Sequence, residues 1–305
     1  MENRKEPSPT AARATDFETL NSCHLCGSRQ LTMLDAACNV CRCQGCGYVF
    51  DNPRPAAEAV AQYYSKPTKY DSWLAEEKVR DTLWKRRLKK MSKTKNPGSL
   101  LDVGTGIGQL LHHAQPYYAE VYGTEVSASA ISVARSKYGL TVFQGDIEKI
   151  DFNGKVFDNI ALFHVLEHVP NPRMLIERCR SLLSTDGILV IAVPNDLCSM
   201  SSRVRRWLKY FGVRKFRTVG KLGLKPITLD GTMQEIHVSH FTSEVLVRFL
   251  ERSGFRVLEN GLDPYFAAAG LLNVVHKLYY LVCSILLFAL GRNYYDTIWL
   301  VARKK

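Results

Sequence analysis

No secretory leader opens this sequence: residues 1–18, MENRKEPSPTAARATDFE, are polar and hold no apolar core. No internal repeat runs through the chain. No uninterrupted apolar run reaches the about 20 residues that a membrane-spanning helix needs. The most apolar stretch, residues 266–290, is interrupted by His276 and Lys277, which leaves only 278–290 unbroken. Without a leader, the expectation is a reducing, cytoplasmic location, where clustered cysteines mean metal sooner than disulfides. The 305 residues are 46% hydrophobic and 23% charged. That excludes a disordered chain and supports one full α/β domain plus something smaller.

The net charge of +12 is unevenly spread. Residues 78–95 hold nine Lys/Arg and one acid, and residues 203–225 hold nine Lys/Arg and no acid, so the rest of the chain is net acidic. Two local basic stretches suit RNA, an anionic lipid or a phosphorylated substrate; the plainer reading is a solvated helix face, which for 78–95 stands level with any partner.

Composition divides the chain. Residues 1–20 read as a disordered tail, 21–52 as a cysteine cluster and 53–95 as a helical connector, with 96–305 as the main domain. From Ser99, short apolar runs (SLLDV, VYGTEV, LTVFQGD, VFDNIALFHV, GILVIAVPN) alternate with helix-like segments (IGQLLHHA, SASAISVARSKYG, PRMLIERCRSLLS). This rhythm predicts βαβ units in a doubly wound, mostly parallel sheet. A basic insert, 197–235, breaks it. TSEVLVRFLERSG, FRVLEN, the apolar stretch 266–290 and DTIWLVARKK then complete the domain.

The cysteines are concentrated: six of nine fall between Cys23 and Cys46. Cys23-x-x-Cys26 and Cys43-x-x-Cys46 enclose 16 residues, the spacing of a four-thiolate structural zinc site. Cys38 and Cys41 form a third such pair and can replace the second. A unit this small needs the metal to fold.

The run LLDVGTGIGQLL places a strand, then Gly104, Gly106 and Gly108, then a helix. Such a loop brings backbone close to a ligand and offers helix N–H groups to an anion. A dinucleotide fingerprint needs glycine where Gln109 stands, and the Gly-Lys-Ser/Thr ending of a phosphate loop is absent. Asp102, just ahead of the glycines, would repel pyrophosphate and attract an ammonium group. The ligand is therefore one with an amino-acid head. Glu125 ends the second strand, where a carboxylate can take both hydroxyls of a ribose. Asp146 ends the third, where it can accept from an exocyclic amine.

Residues 99–195 resemble class I S-adenosylmethionine-dependent methyltransferases. LLDVGTGIG looks like their first motif, FHVLEHVPNP like the fourth-strand motif and LLSTDGILVIAVPN like the one after it. HVSHFTSEVLVRFLERSGFRV resembles a later segment. The resemblance implies a seven-stranded sheet of order 3-2-1-4-5-7-6 whose last strand, DTIWLVARK, is antiparallel. It implies S-adenosylmethionine as cofactor, held by Asp102, Gly104, Thr105, Gly106, Gly108, Glu125, Asp146, Ile147 and His164. RCQGCGYVFDNPRP resembles the zinc-ribbon half of a bacterial arrangement in which a small ribbon precedes this type of methyltransferase. That favours Zn²⁺ on Cys23, Cys26, Cys43 and Cys46.

Methyl transfer from a sulfonium is a direct displacement, in which a base helps when the acceptor is a hydroxyl. The candidate bases are His168 and His240, then His164 and His237. The first pair of neighbours, His164 and His168, flanks Glu167 after the fourth strand. His237 and His240 precede a helix and are expected over the acceptor. Asn195 is expected to line the acceptor pocket.

In related quinone-modifying methyltransferases the region of the insert shapes the acceptor site and can touch membrane. Here VRRWLKYF sets Trp207, Leu208 and Phe211 among basic residues, as a membrane-surface or partner-binding helix does. If 296–303 is the seventh strand, the chain must return to the sheet on the same side, and a single membrane crossing is excluded. Residues 266–290 are then a buried helix, a homodimer face or a helix in a bilayer surface.

The favoured reading is O-methylation of a small-molecule, sugar or lipid-linked biosynthetic intermediate, with peripheral contact at the inner face of the membrane. An RNA methyltransferase is the second reading; no Asn-Pro-Pro-Tyr-type motif for flipped bases is present, so nucleic acid ranks lower. A non-catalytic S-adenosylmethionine-binding module is the third.

Overall fold

The computed structural model describes residues 16–65, 71–94, 96–230, 233, 235–265 and 270–305, with backbone alone at 71 and 72. Residues 1–15 of the expected tail and 266–269 of the expected apolar helix lie outside the described residues.

Near the N-terminus β1 (Phe17–Glu18) pairs with β5 (Arg54–Pro55), and between them β2 (Leu31–Asp35), β3 (Val40–Cys43) and β4 (Val49–Asp51) form an antiparallel meander. The connector folds as α1 (Ala57–Tyr64), α2 (Asp71–Ala75) and α3 (Glu77–Met91). In α3, Leu83, Trp84, Arg87, Leu88 and Met91 share one helical face, and all five are buried. Lys85 and Lys89 point to solvent, so most of this basic stretch is the polar side of an amphipathic helix.

The main domain runs β6 (Ser99–Val103), α4 (Gln109–Ala114), β7 (Glu120–Glu125), α5 (Ala128–Tyr138), β8 (Thr141–Gln144), β9 (Phe157–Phe163), α6 (Pro172–Leu182), β10 (Leu183–Pro194) and α7 (Met200–Tyr210). It continues through β11 (Ser239–His240), α8 (Ser243–Arg252), β12 (Phe255–Leu262), α9 (Gly270–Leu290) and β13 (Thr297–Lys304). Seven strands lie side by side as β8-β7-β6-β9-β10-β13-β12. This is the order 3-2-1-4-5-7-6, with β13 antiparallel to both neighbours. β6 is buried along its whole length, as befits a parallel strand covered on both faces. Side-chain caps set the helix starts: Asn171 accepts from the Met174 N–H at 3.3 Å ahead of α6, and Thr242 from Val245 at 3.3 Å ahead of α8.

Two boundaries differ from the sequence pattern. The helix expected through Ser184 ends at Leu182, and β10 begins at Leu183. The pairing of β10 with β9 shifts between Leu183 and Ile188. A Cβ on Gly187 would lie 2.8 Å from Leu183 Cδ2, so the irregular turn closes only on a glycine. The second difference concerns the ribbon, expected as a unit of its own. β11, from the far side of the basic insert, pairs with β4 and makes the ribbon sheet four-stranded. Leu222 and Leu224 of the insert pack on Cys38, Val40 and Val49. One core cluster runs from Tyr48 and Phe50 into Phe241, Val245 and Phe249 of the main domain. The ribbon and the main domain share a core.

Candidate donor and acceptor site

Gly104, Gly106 and Gly108 all adopt positive φ, at 69°, 56° and 84°. The loop is covered closely from two sides. A Cβ on Gly104 would meet Val165 Cγ2 at 2.7 Å, and one on Gly106 would meet the Trp73 ring at 2.7 Å. The first contact sets the loop after β9 against the glycine loop. The second brings α2 of the connector over it, where Arg80 lies 4.0 Å above the Trp73 ring.

Asp102 is buried at the end of β6, and burial raises its carboxyl from the ordinary 3.8 to about 7, against the opposing pull of Thr105 and Arg87. A buried carboxylate in this position fits a ligand ammonium group. Glu125 is also buried, and it accepts from the backbone N–H of Gly106 at 2.8 Å, Val126 at 2.8 Å and Ser127 at 2.9 Å. It braces the glycine loop, and ribose hydroxyls would have to share its oxygens. Thr105 is buried beside Asp102, Ile147 is buried in the core, and Asp146 is half exposed with Lys149 Nζ at 3.3 Å.

The histidines gather around the loop 164–168. His164, itself at positive φ of 58°, takes a hydrogen bond from Arg87 Nη2 at 2.9 Å, and its Nδ1 stands 3.3 Å from Glu167 Oε1. Arg87 also forms a fork with Asp263: Nε donates to Oδ1 at 3.1 Å and Nη2 to Oδ2, with both residues buried. His168 Nδ1 is 2.6 Å from the Ile236 carbonyl and 2.9 Å from the Tyr64 hydroxyl. A carbonyl can only accept, so Nδ1 carries the proton and Nε2 is left with its lone pair. Nε2 lies 3.8 Å from Glu167 Oε1. Burial lowers the His168 pKa, against the opposing Glu167 carboxylate.

His237 is held differently. Burial disfavours its charge, but Asp196 at 3.1 Å and Glu235 at 3.4 Å outweigh that and raise its pKa well above the ordinary value. His240 is buried in the ribbon sheet. Its Nε2 donates to Asp51 Oδ1 at 2.9 Å and its Nδ1 is 3.5 Å from Asp196 Oδ2. Burial again opposes, and the two carboxylates raise it to about 9. Asn195 is buried and donates to the Asn293 and Tyr295 carbonyls at 3.0 and 2.8 Å, anchoring the turn before β13. His112 stacks on Tyr138 and His113 meets Asp81 at 2.8 Å, both as packing.

Glu167 is buried, and among the described residues neither carboxylate oxygen has a hydrogen-bond partner. Glu167, His168 and His237 offer ligand atoms all within 4.8 Å of one another, a set that can hold a cation. The Glu167 carbonyl accepts from Val238 at 2.9 Å and Ser239 at 3.1 Å, which ties the loop to β11.

At the ribbon, Cys23, Cys26, Cys43 and Cys46 bring four sulfurs within 4.8 Å of one another. Cys23 and Cys46 sulfurs are 3.6 Å apart, and Cys26 and Cys43 sulfurs 3.5 Å. Zn–S bonds of about 2.3 Å at tetrahedral angles give edges of about 3.8 Å, so the set fits Zn²⁺ after a small expansion. Cys38 and Cys41 lie elsewhere, with Cys38 Sγ donating to the Leu224 carbonyl at 3.5 Å and Cys41 Sγ near the Asn52 carbonyl.

Arg87, Asp263, Trp73, Tyr64, Asp196 and Glu235 were not among the expected site residues. Arg87 had a signal: it shares the apolar face of α3 with Leu83, Trp84 and Leu88, which is where a cation needs a partner. Asp263 and Tyr64 carried none, since their roles arise from elements far apart in sequence.

A seven-stranded sheet of this order, with a glycine loop after its first strand and a buried acid just before it, defines a class I methyltransferase fold. The model of the methyltransferase domain family matches residues 76–260, and the chain belongs to that family. The ubiquinone biosynthesis O-methyltransferase of Glaesserella parasuis serovar 5 is 36% identical over 106 residues, 32% of this chain and 45% of that protein. The protein of the same name from Coxiella burnetii is 33% identical over 101 residues, 32% of this chain and 43% of that one. The chain thus spans less than half the length of these curated relatives. Magnesium protoporphyrin IX methyltransferase from Synechocystis PCC 6803 with bound SAH superposes with a TM-score of 0.53 at 15% identity. The match covers 82% of this chain and all of that one, a likeness of fold.

Proposed function

We propose that the protein transfers a methyl group from S-adenosylmethionine to a hydroxyl of a small-molecule, sugar or lipid-linked biosynthetic intermediate in the cytoplasm. The cofactor supplies a methyl group already activated on a sulfonium. Asp102 pairs with its ammonium group, the glycine loop receives its carboxylate, Glu125 and Asp146 face ribose and adenine, and Trp73 and Arg80 close the loop from water.

The observation that carries the reading is the contact of Val165 with Gly104, which sets the loop of His164, Glu167 and His168 against the donor site. His168 is the base. Its Nδ1 proton is fixed by the Ile236 carbonyl and its lowered pKa keeps Nε2 bare at neutral pH. The other three candidates are engaged: His164 accepts from Arg87, while His237 and His240 are held protonated between carboxylates. The names of the curated relatives support a hydroxyl as acceptor.

The test is to incubate the protein with cell extract and methyl-labelled S-adenosylmethionine and to separate RNA, lipid and aqueous fractions. Label in the lipid or aqueous fraction, lost in His168→Ala, is expected. Label in RNA alone would overturn the reading, and cofactor binding without label in any fraction would make the chain a binding module.

A further inference from the structure

α9 is long and apolar enough to cross a bilayer, yet only 6% of its most apolar window is buried. One stripe of it packs: Cys283 is fully buried, with Tyr279, Tyr280 and Leu287 against Leu262 and Tyr295. The remaining surface is bare, with Leu271 at 79% and Phe288 at 96% exposure, and Val275, Leu278 and Ile285 between them. A bare apolar surface of this length marks an interaction site.

The helix is fixed lengthwise on the domain. The Tyr279 hydroxyl donates to the Tyr294 carbonyl at 3.3 Å and that of Tyr280 to Leu262 at 3.4 Å, both near the helix midpoint. Leu262 before the helix and Ile298 after it are register partners in the sheet. A helix pinned at its middle, entering and leaving at one sheet end, cannot span a bilayer and lies along a surface instead.

α7 adjoins it. The Met200 N–H donates to the Tyr294 carbonyl at 2.8 Å, and the Arg203 guanidinium lies 4.9 Å from the Tyr294 ring. α7 and the turn after it expose Trp207, Tyr210 and Phe211, the first two at 68% and 86%. Residues 200–225 and 270–292 together hold eleven Lys/Arg and no Asp or Glu.

We infer that α7 and α9 form one docking surface for a bilayer rich in anionic lipid, with α9 embedded in the headgroup–acyl boundary. Exposed aliphatic residues, interfacial aromatics and clustered cations in one region match that boundary layer. A second copy of the chain is the poorer occupant, because it would bring the cations of residues 200–225 against one another. The surface also lies at the catalytic end of the sheet. α9 follows the carboxyl end of β12 through Asp263, the partner of Arg87, and Tyr265, whose ring lies 4.7 Å from that of His164. A membrane-held acceptor would meet the site from this side. This deepens the proposed acceptor class, while the docking itself does not depend on catalysis.

The experiment is co-sedimentation of the full-length protein with vesicles of phosphatidylcholine alone or with about one third phosphatidylserine. Binding to the anionic vesicles at least tenfold tighter than to neutral ones, and weakened by salt, is expected. Arg203→Glu/Arg206→Glu should lose the anionic preference, and Leu271→Gln/Leu278→Gln should weaken binding to both kinds. All four positions are on the exposed helices, and circular dichroism verifies the fold. Asp102→Ala, which removes the proposed donor contact, should bind vesicles like the wild type, so failure of docking and failure of methyl transfer are told apart. Absence of vesicle binding overturns the inference. So does a stable dimer in sedimentation that the Leu271→Gln/Leu278→Gln protein fails to form, and so does resistance to extraction by alkaline carbonate.

Discussion

Asp102→Asn should make the protein more stable and unable to hold its methyl donor, and the two effects should be separable by pH. The Asp102 carboxyl is buried and titrates at about 7, some 3 units above its ordinary 3.8. Because the folded-state value is the higher one, the folded chain holds the extra proton between those limits. Stability therefore falls as pH rises through that window and stays low above it. At about 1.4 kcal/mol per unit, keeping the ionised group buried costs on the order of 4 kcal/mol above pH 7. Asparagine removes that cost but leaves a buried amide incompletely paired, at about 2 kcal/mol. The net gain is about 2 kcal/mol, or roughly 4–8 °C in Tm at pH 8, and it should vanish near pH 5.5. Binding runs the other way. An ammonium ligand prefers the ionised carboxylate, so donor affinity in the wild type should fall about 25-fold from pH 7.5 to 5.5. Thermal unfolding across pH and calorimetric titration with S-adenosylmethionine measure both. A lower Tm for Asp102→Asn at pH 8, or a donor affinity flat in pH, would refute the assignment.

The purified protein should contain one zinc per chain by atomic emission, lost in Cys43→Ser and kept in Cys38→Ser and Cys41→Ser; the reverse pattern would move the site to the other pair. Arg87→Met leaves the Asp263 carboxylate buried and unpaired, and should cost about 3–5 kcal/mol in urea denaturation. Most of that should return in Arg87→Met/Asp263→Leu, and a single-variant loss under about 1 kcal/mol would show that the pair is not what holds α3 to the sheet. His168→Ala should lower kcat by about 10²–10⁴ with donor affinity unchanged. At saturating donor, the acid limb of the wild-type kcat profile should fall below the ordinary histidine value of 6.5, since burial lowers His168; a limb above 7 there would point to another base.

The proposed donor residues could be picked out in sequence because their placement is local. The glycine loop, Asp102, Glu125 and Asp146 each end a strand whose apolar pattern can be read, and the parallel order puts those ends together. The proposed acceptor side is built from distant pieces. Tyr64 in the connector, His168 after β9, and Glu235 and His237 beyond the insert meet only through folding. No local pattern reports such a meeting. His240 shows the limit most plainly: its sequence neighbours suggest a loop over the acceptor, but the free edge of β4 recruits residues 239–240 as a fourth ribbon strand. Edge pairing between segments nearly two hundred residues apart has no signature in either segment.

That same edge pairing joins the four-cysteine cluster to the proposed acceptor side. Zn²⁺ on the four cysteines would fix the ends of the meander, the meander fixes β4, and β4 carries Asp51 toward His240. His240 faces Asp196, and Asp196 in turn holds His237 beside the ring of His168, with centroids 5.0 Å apart. Charges alternate along this line, so each member is held by its neighbours, and losing one end leaves buried ions unpaired. None of the proposed donor contacts belongs to the ribbon. Unravelling the ribbon by Cys43→Ser should therefore abolish turnover while S-adenosylmethionine still binds with its original affinity. Asp51→Ala should reproduce much of that loss with zinc content intact, and Asp51→Asn, which can still accept from His240, should lose less. If donor affinity instead fell in step with turnover, the ribbon would be supporting the whole fold, and the line from Asp51 to His237 would have no separate role in placing the acceptor.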